Sequence, residues 1–422
     1  MRSLIVALVV ALATVAVARD ASAPPAGQIA WVDVEGELWI GKGDGSGSRQ
    51  LAPGAEMRPA SFTLTPIQDL PESFRWPLWS PDGKKLAAFY ISQGSGPATS
   101  RLLVFEPTSG RIVDSHQGVD LRPIYGYWAP DGSRFAFLHQ TGPVHTLSLW
   151  PSDDRDTPKD VAAGLPLFFD WRRDSRALVL HAARDPQSKA RSTVTLLDPV
   201  NGERTVRTDS PAAFGPAQYS PDGSWLAYGI EDEKGIAHLV IEKRDGSDRK
   251  KLLRIDPEAA FNWAPDGKSL AVGKTSDERA PLLEEVVRIE IPSGKTTSIA
   301  KEIVGCFFWS PKSDRLLYAV RDLDKGDWEW VVADVTSGKK TRLTRFVPSP
   351  ALVFVFQFFD QYALSHRLWS PDGSAFVFTG WTGVDPQTVG PVGAPSVFVV
   401  PIDAAKKPSA LGDGHVAFWS PL

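Results

Sequence analysis

Residues that could catalyse a reaction or hold a metal are present in this chain, but they are scattered along it. The seven histidines stand far apart, at positions 116, 139, 145, 181, 238, 366 and 415. No His-Glu-x-x-His, His-x-His or paired-cysteine pattern predicts a zinc site, and no Gly-x-Ser-x-Gly sequence predicts a hydrolase nucleophile. A fold can still bring distant residues together, but the sequence itself predicts no catalytic residue, no metal and no cofactor.

Three short features resemble functional motifs, and a structural role explains each of them better. Cys306 is the single cysteine, which precludes an intramolecular disulfide, and its apolar neighbours predict a core residue. The run from Asp322 to Asp327 resembles a calcium loop but lacks the later bidentate glutamate, which favours a polar hairpin loop. The glycine-rich run 43–48 lies between predicted strands rather than before a helix, which favours a turn over a phosphate-binding loop.

A recurring sequence, Trp-Ser-Pro-Asp-Gly, indicates which elements must position any site. Proline sets φ at the second position of a type I turn, aspartate accepts from nearby backbone N–H groups, and glycine takes the left-handed conformation. With the apolar run that follows it, each copy predicts a strand, a tight turn and a second strand. The aromatic residues that open the strong, weak and truncated copies are Trp79, Trp128, Trp171, Tyr219, Trp263, Trp309, Trp369 and Trp419.

The spacing of the copies predicts the fold. Successive aromatic positions are separated by 49, 43, 48, 44, 46, 60 and 50 residues, a period typical of propeller blades with four short strands. The segment 29–52 supplies three strands that lack a preceding inner strand, and His415 to Pro421 supplies that inner strand. We therefore predict an all-β propeller in which one shared blade joins the two ends of the chain, with eight blades, or seven if one weak copy is misread.

The repeat resembles that of the TolB-type propeller family over about residues 27–422. Related repeats occur in the propeller domains of the prolyl oligopeptidase group and of tricorn protease. The resemblance implies the fold, and it leaves the function open between docking scaffold, peptidase gate and enzyme. TolB carries an additional α/β domain before its propeller and the peptidases carry an α/β-hydrolase domain, and we expect neither domain in this sequence.

Residues 1–23 have the features of a secretory signal peptide. Arg2 precedes an apolar run from Leu4 to Ala18, and Ala21-Ser22-Ala23 fits a small-residue cleavage site. That run is shorter than the ~20 residues that a helix needs to cross a bilayer, although an uncleaved anchor is the alternative. The sequence predicts an exported protein, periplasmic or extracellular, without a membrane span in its mature chain.

The charge of the chain argues against a nucleic-acid partner. There are 46 basic and 50 acidic residues, a net charge of −4. Removing residues 1–23 takes away two arginines and one aspartate, which leaves 44 basic and 49 acidic residues and a net charge of −5. No basic block is present to neutralise phosphates, so we expect no nucleic-acid binding.

Two irregular stretches define the candidate binding face. Residues 346–367 account for the long spacing before Trp369 and are rich in aromatic residues. They either fill a gap between blades as a longer outer strand or a helical turn, or cover one end of the axial channel and offer polar contacts. The second stretch, 380–393, is a loop rich in glycine and proline, and it neighbours the first if both lie on the same face.

The inner strands predict which side chains approach the axis. Residues just before each aromatic position should do so, and these are Arg75, Tyr125, Asp170, Gln218, Asn262, His366 and Arg367. From these and the irregular stretches, the predicted ligand or partner contacts are Arg75, Tyr125, Asp170, Asp360, Gln361, Tyr362, His366, Arg367 and Trp381.

Three functions are consistent with this pattern. The favoured one is a non-catalytic exported propeller that binds a protein, a peptide or a cell-envelope component. The alternative is a propeller enzyme, lactonase-like or hydrolase-like, whose axial carboxylates and histidines would have perturbed pKa values. The third is an accessory scaffold of an envelope assembly, which would expose an apolar patch.

Overall fold

The structure is a computed structural model that describes residues 25–52, 72–92, 99–119, 122–151, 157–183, 192–212, 215–255, 259–275, 282–383, 391 and 393–422. The predicted signal peptide lies outside these residues. Within them the chain folds almost entirely into antiparallel strands. The strands form successive blades. We number the blades in chain order, starting with the one that contains the first strand.

The first three blades are four-stranded sheets. Blade 1 contains β1 (Gln28–Val32), β2 (Leu38–Lys42), β3 (Arg49–Ala52) and the last strand, β31 (Val416–Trp419). Blade 2 contains β4 (Glu72–Trp79), β5 (Leu86–Ser92), β6 (Thr99–Phe105) and β7 (Ile112–Val119). Blade 3 contains β8 (Arg122–Trp128), β9 (Arg134–Thr141), β10 (Val144–Pro151) and β11 (Lys159–Gly164).

The next three blades repeat this four-stranded arrangement. Blade 4 contains β12 (Leu167–Trp171), β13 (Leu178–Ala183), β14 (Ser192–Leu197) and β15 (Arg204–Thr208). Blade 5 contains β16 (Gln218–Tyr219), β17 (Trp225–Glu231), β18 (Ala237–Lys243) and β19 (Lys250–Arg254). Blade 6 contains β20 (Ala259–Trp263), β21 (Ser269–Lys274), β22 (Glu285–Glu290) and β23 (Thr296–Ala300).

The last sheet has seven strands and joins two blades. Blade 7 contains β24 (Val304–Trp309), β25 (Arg315–Arg321), β26 (Trp328–Asp334) and β27 (Lys340–Pro348). Blade 8 contains β28 (Ala375–Thr382), β29 (Ser396–Pro401) and β30 (Ser409–Asp413). Its innermost position is held by Trp369, which forms a bridge with Phe376. The two blades join because residues 346–348 pair with residues 380–382. The predicted propeller of four-stranded blades is confirmed.

The first sheet contains strands from both ends of the chain. Strand β31 pairs antiparallel with β1, for example Ala30 with Phe418. The indole N–H of Trp79 in blade 2 donates to the carbonyl of Phe418 at 3.3 Å. On the other side, the backbone N–H of Trp419 donates to the carbonyl of Arg367 in blade 8. Blade 1 therefore contacts blades 2 and 8 through residues from the C-terminal end of the chain.

The repeated turns have the predicted chemistry. In the copy at Trp79, the N–H of Gly83 donates to the carbonyl of Ser80 at 2.9 Å, and Gly83 has φ of 68°. The carboxylate of Asp82 accepts from the Ser80 hydroxyl at 2.7 Å and from the N–H of Lys84 at 3.1 Å. These aspartates hold the turns in shape, as the sequence predicts. We call the end of the propeller that carries these turns the turn face.

Tryptophan indoles connect most successive blades. Each indole N–H donates to a backbone carbonyl in the preceding blade. The acceptor is the residue directly before the aromatic position of that blade. The donor–acceptor distances are 3.1–3.3 Å for the pairs Trp79–Phe418, Trp128–Leu78, Trp171–Tyr127, Trp263–Gln218, Trp309–Asn262 and Trp369–Phe308. The repeat therefore places one indole donor and one carbonyl acceptor at each of these blade junctions.

Replacing one of these tryptophans tests how much the junction bond stabilises the fold. Trp128→Phe removes the donor to Leu78, and Trp419→Phe removes an indole N–H that has no hydrogen-bond partner among the described residues. Both side chains are buried, so the loss of ring area is matched. We expect Trp128→Phe to lower the free energy of unfolding by about 1 kcal/mol more than Trp419→Phe, as measured by urea unfolding. Equal losses would show that the junction bond contributes nothing.

Candidate ligand-binding site in the axial cavity

The stretch 346–367 forms a plug at the centre of the propeller. After β27 it turns into α1 (Pro350–Gln357) and α2 (Phe359–Tyr362). Ser349 caps α1, because its hydroxyl accepts from the N–H of Leu352 at 3.1 Å, and Pro350 follows at the first helical position. Because β27 ends opposite the turn face, the segment enters the axis from the far end. We call residues 349–366 the axial plug.

Hydrogen bonds fix the axial plug to the inner strands of several blades. Two donors come from the plug and two from the surrounding strands. The bonds run from Tyr125 Oη to Gln361 O at 3.0 Å, from Tyr362 Oη to Ile124 O at 3.2 Å, from Gln361 Nε2 to Phe169 O at 2.8 Å and from Gln218 Nε2 to Asp360 O at 3.1 Å. Residues 360–362 are thus buried, and each forms at least one hydrogen bond with an inner strand, although Gln361 Oε1 has no partner among the described residues.

Aromatic contacts complete the packing of the axial plug. The ring of Phe359 lies 4.6 Å from that of Phe307 in blade 7. The ring of Tyr362 lies 5.1 Å from that of Trp76 in blade 2. The plug therefore combines parts of both alternatives for this stretch. It covers the axis, and it is packed against the blades as a structural element.

A cavity of about 430 Å³ lies between the axial plug and the turn face. Its floor is formed by residues at the end of the plug and just after it, and its walls come from blades 3 to 8. The residues that line it are Tyr127, Pro130, Asp170, Trp171, Arg173, Tyr219, Ser220, Pro221, Asn262, Trp263, Pro265, Phe308, Trp309, Pro311, Ala363, Leu364, His366, Arg367, Leu368 and Trp369. We call it the axial cavity.

Arg173 occupies the position that proline holds in most other copies of the repeat. The weak copy reads Trp171-Arg172-Arg173-Asp174. A Cβ added to Gly223, in the next blade, would lie 3.6 Å from the Cβ of Arg173, and one added to Gly267 would meet Pro221 at 3.8 Å. The departure from the repeat therefore places a guanidinium where the other blades present a proline ring to the axial cavity.

Arg367 supplies a second guanidinium to the axial cavity. It directly follows the plug, and its side chain is exposed within the cavity. Desolvation by the surrounding protein and the nearby Arg173 cation both lower the pKa of Arg367, and Tyr127 opposes them. An adjoining cavity of about 90 Å³ is also lined by Arg173 and Arg367. Among the described residues neither guanidinium has an ion-pair or hydrogen-bond partner.

Asp170 replaces the indole bond at the junction where tryptophan is missing. Blade 5 has Tyr219 at the aromatic position, and the backbone N–H of Tyr219 donates to Asp170 Oδ2 at 2.8 Å. Burial raises the pKa of Asp170 to about 7, although hydrogen bonds from the Tyr219 and Trp171 N–H groups and from Tyr127 oppose the increase. The carboxyl of Asp170 therefore connects blades 4 and 5 by a hydrogen bond and also lines the axial cavity.

Two further groups on the axial plug have pKa values shifted by burial. Desolvation raises the pKa of Asp360 to about 7 and lowers the pKa of His366 to about 3. His366 Nδ1 is 2.7 Å from the hydroxyl of Ser365, whereas its Nε2 is buried without a hydrogen-bond partner among the described residues. His366 is therefore neutral at physiological pH, and it adds no charge to the cavity.

The structure brings most of the predicted contact residues to the axis, but two lie elsewhere. Arg75 does not contribute to the axial cavity, because its Nε faces Ser73 Oγ at 3.4 Å and the next residue, Trp76, has a φ of 51° within a bulge. Trp381 pairs with Val347 of β27, just before the axial plug, and its indole donates to the carbonyl of Gly393. This pairing places the two irregular stretches side by side, as expected; residues 384–390 and 392 lie outside the described residues.

Sequence reasoning missed Arg173 and Tyr127 as cavity residues. The available signal for Arg173 was the substitution of arginine for proline in a weak copy of the repeat. Tyr127 directly precedes Trp128, as Asp170 precedes Trp171, so the rule used for Asp170 identifies it too. The ligand contacts predicted from the sequence stay predictions.

The other candidate motifs have structural roles. Cys306 is buried in β24. Asp322 and Asp327 both accept from the guanidinium of Arg345, with Arg345 Nη2 2.6 Å from Asp322 Oδ2 and Nε 2.7 Å from Asp327 Oδ2. Within the described residues no three histidine, cysteine or acidic side chains are grouped as a metal site.

Comparisons with known proteins show distant relatives. No family model matches the chain. It is 27% identical over 201 residues to the uncharacterized protein Atu1656 of Agrobacterium fabrum, which covers 47% of this chain and 64% of that protein. It is 28% identical over 156 residues to the uncharacterized peptidase YuxL of Bacillus subtilis, which covers 36% of this chain and 21% of that protein. The chain spans less than two thirds of the length of each relative.

Solved structures share the architecture. The dihydro-heme d1 dehydrogenase NirN, solved in complex with DHE, matches with a TM-score of 0.56 and 13% identity, covering 95% of this chain and 76% of that chain. The chain is a β-propeller. TolB from Acinetobacter baumannii is also similar, at 15% identity and a TM-score of 0.39, over 79% of this chain and 82% of that chain. Identities this low show the fold alone, so membership of the TolB-type family stays a prediction.

The buried carboxyl of Asp360 predicts a pH-dependent gain in stability on substitution. A raised pKa means that folding favours the protonated carboxyl, so its stabilising effect is present below about pH 4 and is lost as pH rises through about 7. Asp360→Asn should therefore raise the free energy of unfolding by about 2 kcal/mol at pH 8 and by little at pH 4.5, as measured by chemical denaturation.

Asp334→Asn is the matched control for this pH effect. The pKa of Asp334 is lowered, and the largest cause is a hydrogen bond from the backbone N–H of Ser337. Its carboxylate therefore stabilises the fold above about pH 4, and its replacement should cost stability at pH 8 and less in acid. The same pH trend in both variants would contradict the assignment of Asp360 as a buried, destabilising carboxylate.

Proposed function

We propose that this chain is an exported binding protein, and that its axial cavity holds an anionic group of the ligand. The observation that carries the proposal is the pair Arg173 and Arg367. Both guanidinium groups line one cavity, and neither has an ion-pair partner among the described residues. Holding two like charges close together costs free energy, and a bound anion offsets that cost.

The charge of the rest of the chain supports a specific site. The chain carries four more acidic than basic residues, so a general attraction to anions is not expected. Arginine is also the cation best suited to carboxylate and phosphate groups, because its planar N–H groups form paired hydrogen bonds with them. The cavity volume of about 430 Å³ is within the ordinary range for small-ligand sites.

An enzymatic role was the alternative, and Asp170 is the residue that best supports it. Its pKa of about 7 is suitable for general acid or base catalysis. However, Asp170 Oδ2 accepts from the backbone N–H of Tyr219, and Tyr127 also donates to the carboxyl. Burial is what raises its pKa, and the carboxyl is already engaged by hydrogen bonds at the blade junction, so we favour binding over catalysis.

Two substitutions test the anion site through the stability of the protein. We expect sodium sulfate to raise the Tm of the unmodified protein more than that of Arg173→Gln or Arg367→Gln. Sulfate stabilises proteins in general, so the difference between proteins measures the specific part. At a sulfate concentration ten times Kd that part is about 1.4 kcal/mol. Arg176→Gln is the control, because Arg176 is exposed in the same turn but does not line the cavity.

A second readout separates an anion site from a purely structural role. In low salt without sulfate, Arg173→Gln and Arg367→Gln should be at least as stable as the unmodified protein, because each removes one of two neighbouring cations. A structural role predicts lower stability instead. The same response to sulfate in all four proteins would contradict the proposal.

Export is the second part of the proposal, and it rests on the pattern in residues 1–23. No helix among the described residues is long and apolar enough to cross a membrane. We expect the protein purified from its native host to begin at Pro24, after cleavage behind Ala21-Ser22-Ala23. Intact-mass measurement and N-terminal sequencing check this, and a mature protein that retains Met1 and Arg2 would contradict it.

A further inference from the structure

We propose that the anion bound in the axial cavity is the C-terminal carboxylate of a peptide. This inference rests on the proposed function and names the class of ligand for the same site. Three features of the described residues support it: the cavity is closed at one end, exposed carboxylates lie on the turns around its cations, and tryptophan and proline rings form part of its walls.

The closed end favours a ligand that terminates inside the cavity. The axial plug forms the floor through Ala363, Leu364 and His366. The plug is fixed to the inner strands of blades 3 and 4, because Tyr125 Oη lies 2.7 Å from Ser365 Oγ and Gln361 Nε2 donates to the carbonyl of Phe169. A chain that enters from the turn face therefore cannot pass through the propeller, and its end meets Arg173 and Arg367.

The surrounding charges favour a ligand with one anionic group rather than many. The turns around the cavity carry exposed aspartates, namely Asp82, Asp131, Asp174, Asp222, Asp266 and Asp372. Three of the cavity-lining prolines, Pro130, Pro221 and Pro265, directly precede members of this set. A polyanion such as an acidic polysaccharide or a nucleic acid would face repulsion from these carboxylates. A peptide with neutral or basic side chains and one terminal carboxylate would not.

The walls suit the uncharged side chains that precede such a terminus. Trp171, Trp263 and Trp309 line the cavity, and each indole N–H is already bonded to a carbonyl of the neighbouring blade. Their rings therefore offer mainly apolar surface, together with the proline rings of the turns. Aromatic and apolar walls with a few polar groups are the usual composition of a small-ligand site.

The decisive experiment compares peptides that differ only at the C-terminus. A library of N-acetylated tetrapeptides, composed of lysine, glycine, alanine and leucine, is prepared as free acids and as C-terminal amides. Binding is measured through the intrinsic fluorescence of the protein, because four tryptophans line the axial cavity. We expect the free acids to bind at least tenfold more tightly than the amides, and added sulfate to compete with them.

Matched variants locate the effect. Arg173→Gln and Arg367→Gln should each remove most of the preference for the free acid, and Arg176→Gln should keep it. Asp222→Asn should weaken discrimination against a free-acid library rich in glutamate, because it removes one of the repelling carboxylates. The comparison of acid with amide on the unmodified protein needs no variant, so a folding defect in a variant leaves the test intact.

The outcomes separate this inference from the function on which it rests. Equal binding of acids and amides, with the sulfate effect still dependent on Arg173 and Arg367, would overturn the peptide inference and leave an anion site. Tighter binding of glutamate-rich amides than of neutral free acids would overturn it as well, in favour of an acidic internal segment. Loss of both the acid preference and the sulfate effect would overturn both proposals.

Discussion

Hydrogen bonds from tryptophan indoles to carbonyls in the neighbouring blade are the interaction on which the rest of this propeller depends. An indole is large enough to fill the wedge between two blades, and its single N–H fixes the depth and rotation at which it sits. Because the acceptor directly precedes the aromatic position of the previous blade, each bond sets the distance between two inner strands. The diameter of the central space, and hence of the axial cavity, follows from these repeated distances.

The residues that depart from the repeat determine the shape and charge of the axial cavity. Tyr219 has no indole N–H, and Asp170 supplies a carboxylate to the same junction through a backbone bond. Arg173 stands where proline is usual, and the insertion before Trp369 delivers both the axial plug and Arg367. A regular ring would enclose a symmetric, apolar space, whereas these changes close one end of it and place two cations in the remainder. We regard them as the functional part of the sequence.

The sequence predicts the repeating part of the structure well, because turn chemistry and apolar strands are local properties. Among the residues just before the aromatic positions, Tyr125 and Gln218 bond to the axial plug and Asp170 lines the axial cavity. Arg75 does not line the axial cavity, and a bulge follows it in the inner strand of that blade. Asp360, Gln361 and Tyr362 look like exposed polar contacts in the sequence, but their partners lie more than a hundred residues away and bury them. Such long-range pairs leave no local pattern.

The measurement that tests the account most directly is a crystal structure of the protein grown in sodium selenate, with anomalous data collected at the selenium edge. Selenate has the shape and charge of sulfate, and its anomalous signal distinguishes it from water. The account predicts an ordered selenate in the axial cavity, within hydrogen-bond distance of both Arg173 and Arg367. Selenate bound elsewhere, with the two guanidinium groups paired to carboxylates of the protein, would contradict it.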